Sequence, residues 1–368
     1  RDYRGVTVIG AWKWLPKYSF GMAIEIDRWE AFAPLKYLDA ALGGMLGLLA
    51  VALAAVFISS LSIARLRREV SAARQLGQYT LEGLIGEGGM GQVYRARHRL
   101  LKRPTAVKVL KPQSSTPEML ARFEQEVQLS SQLTHPNTIE IYDYGCTPDG
   151  VFYYAMEYID GLNLSQVVAL SGELPAARVV YLLRQICGSL REAHSLGLLH
   201  RDIKPQNIML CRRGGEADVV KVLDFGLVKQ MARDTSSGTT TSTVLAGTPL
   251  YMSPERLLDR HAVDARSDLY SVGAVGFKLL TGSDIFSSDD ANSLLAQIVE
   301  MPAPRASEHT SRVVPRELDD LIAACLAKRA ADRPASAADL IEVLDALALV
   351  EPWKQPQAFD WWRRRDNP

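Results

Sequence analysis

His200-Arg201-Asp202-Ile203-Lys204-Pro205-Gln206-Asn207, followed after the apolar run Val219, Val220, Val222, Leu223 by Asp224-Phe225-Gly226, is the stretch on which the reading of this chain turns. It carries two carboxylates, a lysine and an amide in two short segments around a strand. Four fixed residues of the first motif, at about 1 in 20 each, give roughly a 0.2% chance of accidental appearance in this length. The pattern demands a chemical explanation.

Working towards the N-terminus, Ile85-Gly86-Glu87-Gly88-Gly89-Met90-Gly91-Gln92-Val93 holds three glycines in GxGxxG order. Alone this is a weak signal, met by chance in about one protein in ten of this size. A Rossmann dinucleotide turn would open into a helix and be followed about 20 residues later by an acid. Here Gln92 to Ala96 continue as a strand, so the glycines are the bend of a hairpin, and the residue at that distance is Lys108, in Thr105-Ala106-Val107-Lys108-Val109-Leu110. A lysine inside an apolar strand is costly to bury unless anions meet it. Its natural anions are nucleotide phosphates on one side and a carboxylate on the other. The carboxylate is expected from the helix that Thr116, Pro117 and Glu118 begin. On it Glu126, Leu129 and Leu133 share one face, whereas Glu124 points about 160° away at 100° per residue.

At this point the chain resembles a protein kinase domain of the bacterial eukaryotic-like (Hanks-type) Ser/Thr class, over residues 79–348. The landmarks keep the family order: the Gly-rich loop, Ala106-Val107-Lys108, Glu126, His135-Pro136-Asn137, Met156-Glu157-Tyr158, the two motifs above, Gly247-Thr248-Pro249, Ser253-Pro254-Glu255, Asp268 and Arg333. Ser253 stands where the family often has Ala, and Tyr270 where it often has Trp. The resemblance implies an α+β bilobal fold, with a β-rich N-lobe at 79–156 carrying one key helix and a mainly helical C-lobe at 162–348. It also implies an ATP-dependent protein-serine/threonine kinase using Mg2+, with Mn2+ as a substitute, on Ser or Thr of protein substrates.

Site roles follow from that resemblance and from what phosphoryl transfer needs, which is positioning and charge neutralisation. Backbone N–H groups at Gly88, Gly89, Met90 and Gly91 cover the phosphates, with glycine letting the backbone approach. Lys108 meets the α/β-phosphates and is held by Glu126. Asn207 and Asp224 chelate Mg2+, a hard cation that wants oxygen ligands. Asp202 accepts the proton of the substrate hydroxyl, and Lys204 contacts the γ-phosphate. Ala106 and Met156 flank the adenine, with Glu157 and Tyr158 giving hinge backbone hydrogen bonds. Glu255 pairs with Arg333, and Asp268 anchors the catalytic loop. The Ser/Thr-rich run at 235–243 is an activation segment in which Thr240, Ser242 or Thr243 is expected to be phosphorylated and to pair with Arg201. The rival reading is a catalytically inactive kinase-fold scaffold, usually marked by loss of Lys108, Asp202 or Asp224, all present here. A small-molecule phosphotransferase is disfavoured by the long activation segment.

The rest of the 368 residues frame this domain. With 42 Lys+Arg against 42 Asp+Glu there is no net charge and no electrostatic case for nucleic acid. The four cysteines (Cys146, Cys187, Cys211, Cys325) lie far apart, which excludes a disulfide scaffold. Residues 40–64 contain no charge and reach about 37 Å as a helix, enough to span a bilayer. A buried core helix is the alternative. Arg65, Arg67, Arg68 and Arg74 follow, so the positive-inside rule puts residues 1–39 outside a cell membrane and the kinase in the cytoplasm. Gly43 and Gly47 form a GxxxG through which two such helices could form a homodimer, as could the kinase N-lobe.

Residues 1–39 read as two strands and a helix: Val6, Val8, Gly10, Trp12 and Trp14 alternate with polar and apolar partners, Phe20, Met22, Ile24 and Ile26 form a second run, Pro16 and Lys17 turn between them, and Asp27 caps a helix near Arg28. A lone hairpin is marginal in water, and the first residue is Arg1, so the sequence is expected to start inside a longer chain. This stretch resembles the C-terminal end of extracytoplasmic Cache-type, PAS-like sensor domains; an unrelated β-rich stub is the alternative. Residues 65–78 read as a helical juxtamembrane connector. In the tail, 349–368, Trp353, Trp361 and Trp362 precede Arg363-Arg364-Arg365. They either pack on the kinase lobe or rest at the membrane interface, and packing is favoured because Trp seldom stays exposed without a partner.

Overall fold

Alternation of Trp12 and Trp14 with Ala11 and Lys13 forms strand β1 (Val8–Leu15), paired antiparallel with β2 (Phe20–Asp27) from Val8↔Asp27 to Leu15↔Phe20. The coordinates are a computed structural model. They describe the chain except residues 3, 74, 89–90, 111–123, 126, 148–149, 226–248, 260–261, 289, 349–350 and 367–368, and except the side chains of 58 and 60–75. Pro16–Tyr18 make the turn, closed by Ser19 in the left-handed region. Asp27 accepts from Arg4 and from the indole of Trp29, while the Arg28 amide bonds Thr7 O.

Helix α1 then runs unbroken over Arg28–Ala73. The expected exit helix, membrane segment and connector are thus one element. Pro34 falls in the second turn, where few intrahelical bonds are lost, and nothing after it stops the ladder before Ala73. Its stretch Arg28–Phe57 is long and apolar enough to cross a membrane, and none of its most apolar window is buried. The connector differs from expectation at its end. Gln75–Leu76 form a short strand, β3, that pairs with Thr80 and Tyr79. Gly77 at φ 55° allows the tight reversal that a helix continuing to this residue would forbid.

Residues Arg1–Arg74 and Gln75–Pro368 are two separate compact units. In the second, β4 (Tyr79–Gly88), β5 (Gly91–His98), β6 (Pro104–Leu110), β7 (Ile141–Cys146) and β8 (Phe152–Glu157) complete with β3 a six-stranded antiparallel sheet in the order β3-β4-β5-β6-β8-β7. Residues 127–131 are helical (α2), with Val127 buried beside Ala106, Leu110 and Met156. A second, three-stranded sheet of β9 (Gly161–Asn163), β10 (Ile208–Arg213) and β11 (Glu216–Val222) has β11 at one edge.

The further helices of this unit are α3 (Leu164–Ser171), α4 (Ala176–Ser195), α5 (Pro254–Leu258), α6 (Ala265–Thr281), α7 (Ala291–Glu300), α8 (Arg316–Cys325), α9 (Ala337–Ala346) and α10 (Gln355–Asp366), of which α3, α4 and α10 pack on that sheet. Asn163 caps α3 and Ser336 caps α9 in reciprocal capping boxes, which fixes where those helices start. The core is built from Leu182, Leu183, Ile186 and Leu190 of α4 against Leu269, Val272, Val275 and Phe277 of α6. Helices α6 and α8 approach so closely that a Cβ on Gly276 would stand 2.5 Å from Ile322 Cδ1. Beyond residue 348 the tail packs on the helical lobe, the arrangement favoured from its tryptophans. Residues Ala358 and Trp362 of α10 are buried in the same core.

Candidate active site

Lys108 lies within β6, opposite Val93 of β5 and Tyr154 of β8, and only 9% of it is exposed. Its Nζ lies 2.7 Å from Asp224 Oδ2. Tyr154 donates its hydroxyl to the other oxygen, Oδ1, at 2.6 Å. Burial would raise the Asp224 carboxyl, but the Lys108 charge and these hydrogen bonds hold it below the usual carboxylate range. Burial, with the neighbouring Asp224 charge, drives the Tyr154 phenol the other way, so it stays a donor. Asp224 itself has φ 54°, a backbone that turns its carboxylate out of the strand line.

The second carboxylate is built from the loop after α4. Asp268, on the first turn of α6, accepts the backbone N–H groups of His200 and Arg201, each at 2.8 Å, and His194 Nε2 at 2.9 Å. Burial alone would raise Asp268, yet the His194 bond and the adjacent histidines keep it below the ordinary range and charged. His200 donates Nε2–H to Leu223 O at 2.8 Å and accepts the Asp202 amide on Nδ1 at 3.1 Å. Burial lowers its pKa despite the surrounding acids, so it is a neutral spacer between the two motifs. Asn207 donates Nδ2 to the carbonyl and Oδ2 of Asp202, at 2.8 and 2.9 Å, and Lys204 Nζ stands 3.0 Å from the same Oδ2. The amide of Leu223 donates to Asn207 O at 2.8 Å, tying the two motifs together at their bases.

These groups share one cleft of about 580 Å³. Of the residues expected from sequence, Ile85, Gly86, Glu87, Gly88, Gly91, Val93, Ala106, Lys108, Met156, Glu157, Tyr158, Asp202, Lys204, Asn207 and Asp224 line it. Gly89, Met90, Glu126, Thr240, Ser242 and Thr243 lie outside the described residues. Gln92 does not line the cleft, because its side chain bonds Glu87 and Tyr94 within the hairpin. Glu157 lines it, with its backbone N–H bonded to Glu140 O at 2.9 Å. Its buried carboxylate pairs with Lys221 at 2.6 Å and with Arg213. Glu255 and Arg333 form the expected pair, two parallel bonds of 2.8 and 2.7 Å. Arg201 is half-buried, with its backbone clamped by Asp268 and Arg256.

Sequence reasoning missed Tyr154, whose hydroxyl reaches Asp224, and the apolar walls Ile139, Ile159, Met209 and Leu223. Met209 carried a signal: it alternates with the fully buried Ile208 and Leu210 and must face the other way. The oxygens present suit a hard cation. Asn207 spends its Nδ2 on Asp202, which leaves its side-chain oxygen, with the Asp224 carboxylate that lines the same cleft, as candidate donors. Among the described residues there is no group of three or more His, Cys, Asp or Glu that could hold a metal. Two protein donors fit an ion such as Mg2+ that keeps waters and shares phosphate oxygens.

The protein kinase domain family model matches residues 79–343. The chain belongs to the protein kinase domain family. Curated relatives include serine/threonine-protein kinase pkn3 of Myxococcus xanthus, 41% identical over 263 residues, covering 71% of this chain and 48% of that protein. Another is serine/threonine-protein kinase PknB of Mycolicibacterium smegmatis, 37% identical, covering 75% of this chain and 44% of that protein. Residues 79–343 are thus a kinase domain of the serine/threonine kind, and the chain spans less than half the length of these relatives. The crystal structure of the Mycobacterium tuberculosis PknI kinase domain superposes with a TM-score of 0.55 at 27% identity, covering 74% of this chain and 96% of that one. A Rad53 fragment in complex with AMP-PNP shares the fold at a TM-score of 0.60, with 24% identity, covering 72% of this chain and 64% of that one.

Proposed function

We propose that the chain is a single-pass membrane receptor kinase that transfers the γ-phosphate of ATP to Ser or Thr of protein substrates. The observation that carries the catalytic half is the convergence of Lys108, Asp202, Asn207 and Asp224 on one cleft. Lys108 has the reach and the charge for the nucleotide phosphates. Asp202 is oriented by Asn207 and paired with Lys204, so its carboxylate is a fixed acceptor for a hydroxyl proton, and Lys204 stands where charge on the transferred group would be met. Bound Mg2+ supplies charge neutralisation of the phosphates, and Asn207 and Asp224 are the residues that would hold it. The apolar walls Ile85, Ala106, Met156, Met209 and Leu223 suit a flat purine. A phosphate on Thr240, Ser242 or Thr243, placed there by autophosphorylation and met by Arg201, is the proposed activating step.

The membrane half rests on the unburied apolar face of α1 and on Arg65, Arg67, Arg68 and Arg74 beyond it, which set the kinase inside and residues 1–39 outside. The exposed Trp12, Trp14, Ile24 and Ile26 of the β1–β2 hairpin suit a strand pair belonging to a larger Cache-like sensor sheet. Gly43 and Gly47 leave open space where side chains would stand, which suits pairing of two such helices. Incubation of the full chain with γ-labelled ATP and Mg2+, beside Asp202→Asn, tests the enzyme reading. We expect label on Ser and Thr for the wild type and a loss of about 10²–10⁴-fold in the variant. Equal incorporation by both would refute it.

A further inference from the structure

Asp218 is a fully buried carboxylate far from the chemistry, and four side-chain donors converge on it. Arg178 of α4 gives Nε to Oδ2 at 2.8 Å and Nη2 to Oδ1 at 2.9 Å. The other two are indoles of the tail, Trp353 Nε1 to Oδ2 and Trp362 Nε1 to Oδ1, both at 2.9 Å. A buried ion pair holds only when its remaining hydrogen-bonding capacity is filled, and here the tail fills it. The guanidinium of Arg178 also lies over two indole faces, 4.1 Å from the Trp361 ring and 5.1 Å from that of Trp353.

The same tail grips the edge of the small sheet. Gln355 accepts the Ala217 N–H at 2.8 Å and donates to Ala217 O at 3.1 Å, standing in for a strand neighbour on β11. Arg212 of β10 bonds Asp366 at 2.8 Å, so both strands of the hairpin are held. Asp218 lies where the β10–β11 register shifts, with φ 56°, a conformation that needs fixing from outside the strand. The base of this hairpin is the metal-holding pair. Asn207 immediately precedes β10, Asp224 stands two residues beyond Val222 at the end of β11, and the Leu223–Asn207 bond closes the base. The family match stops at residue 343, so the tail side of these contacts lies outside it.

We propose that residues 353–366 are a working part of the catalytic domain, in which Trp353 and Trp362 act as positioning residues that lock the β10–β11 hairpin through Asp218 and so fix Asn207 and Asp224. The inference rests on the kinase reading only for its effect on metal use. The test is the full chain carrying Trp353→Phe and Trp362→Phe together, which removes both donors and keeps an aromatic ring, though a smaller one, at each place. Hydrogen exchange of the metal-free protein should speed about tenfold across residues 208–222 and stay unchanged in β6. The free Mg2+ needed for half-maximal phosphoryl transfer should rise about tenfold, a larger change than any in kcat. Unchanged exchange in the hairpin would overturn the proposal, as would an equal increase in every element. A local increase with no shift in Mg2+ dependence would overturn the positioning role. Trp362→Phe alone, a milder change, should show the same two effects at smaller size if the double variant does not fold.

Discussion

Glu255 shows how far a single residue's physics can be carried. Burial would raise its carboxyl, but the paired bonds from Arg333 and the hydroxyl of Ser267 bring it down to about 2. The folded value is below that of the unfolded chain, so the stabilisation is complete above about pH 4.5 and drains away as pH falls towards 2. After allowance for the solvent that still reaches the pair, Glu255→Gln is expected to cost about 2 kcal/mol at pH 7. The gap from wild type should close between pH 4.5 and 2 in denaturant titrations; a gap constant over that range would contradict the assignment. At this scale the residues proposed for catalysis, which line one cleft, were legible because each is fixed by its chemistry and its neighbours in sequence. Tyr154 was not, because its hydroxyl reaches Asp224 only through the β6–β8 register, which no local pattern announces. The bond from the Glu157 N–H to Glu140 O was hidden for the same reason, because its partner comes from another segment.

Elements carry the next set of constraints, and β5 is the sharpest case. Gly91 looked like a phosphate-covering glycine, yet a Cβ there would stand 2.3 Å from the carbonyl oxygen of Val109 on β6. Its first duty is strand packing. A Cβ on Gly88 would meet nothing within 4 Å and one on Gly86 only Val93 Cβ at 3.9 Å, so these are the glycines proposed to admit a ligand's phosphates. Gly91→Ala is therefore expected to destabilise by about 2 kcal/mol and to lower the melting temperature by about 4–8 °C, while Gly88→Ala leaves it within a degree or so. Equal melting temperatures for both variants would contradict this division. The hairpin, the Lys108 strand and the start of α1 followed from periodicity and capping residues. The end of α1 did not, because the two-residue β3 is defined by its partner β4 and by the turn at Gly77. The tail helix was legible only as three tryptophans; its partner Asp218 lies at a bulge that sequence does not display.

The whole molecule joins a long apolar helix to a kinase domain, and each half makes a prediction. Leu49→Arg with Leu53→Arg puts two charges into the apolar stretch, at about 2.5–3.5 kcal/mol each for a helix centre in lipid. The full chain should remain with membranes through alkaline extraction, and the double variant should be released; extraction of the unaltered chain would contradict the spanning role. Charge balance and scattered cysteines are silent about this division, which lives in one uncharged stretch that the average conceals. The central claim is that Lys108, Lys204, Asp202, Asn207 and Asp224 meet one triphosphate. A lysine-acylating derivative of ATP, reacting at its phosphate end and read by mass spectrometry, tests it most directly. The account predicts label on Lys108 and Lys204 and its suppression by excess ATP with Mg2+. Label spread over exposed lysines such as Lys102 and Lys354, with no protection by ATP, would contradict it.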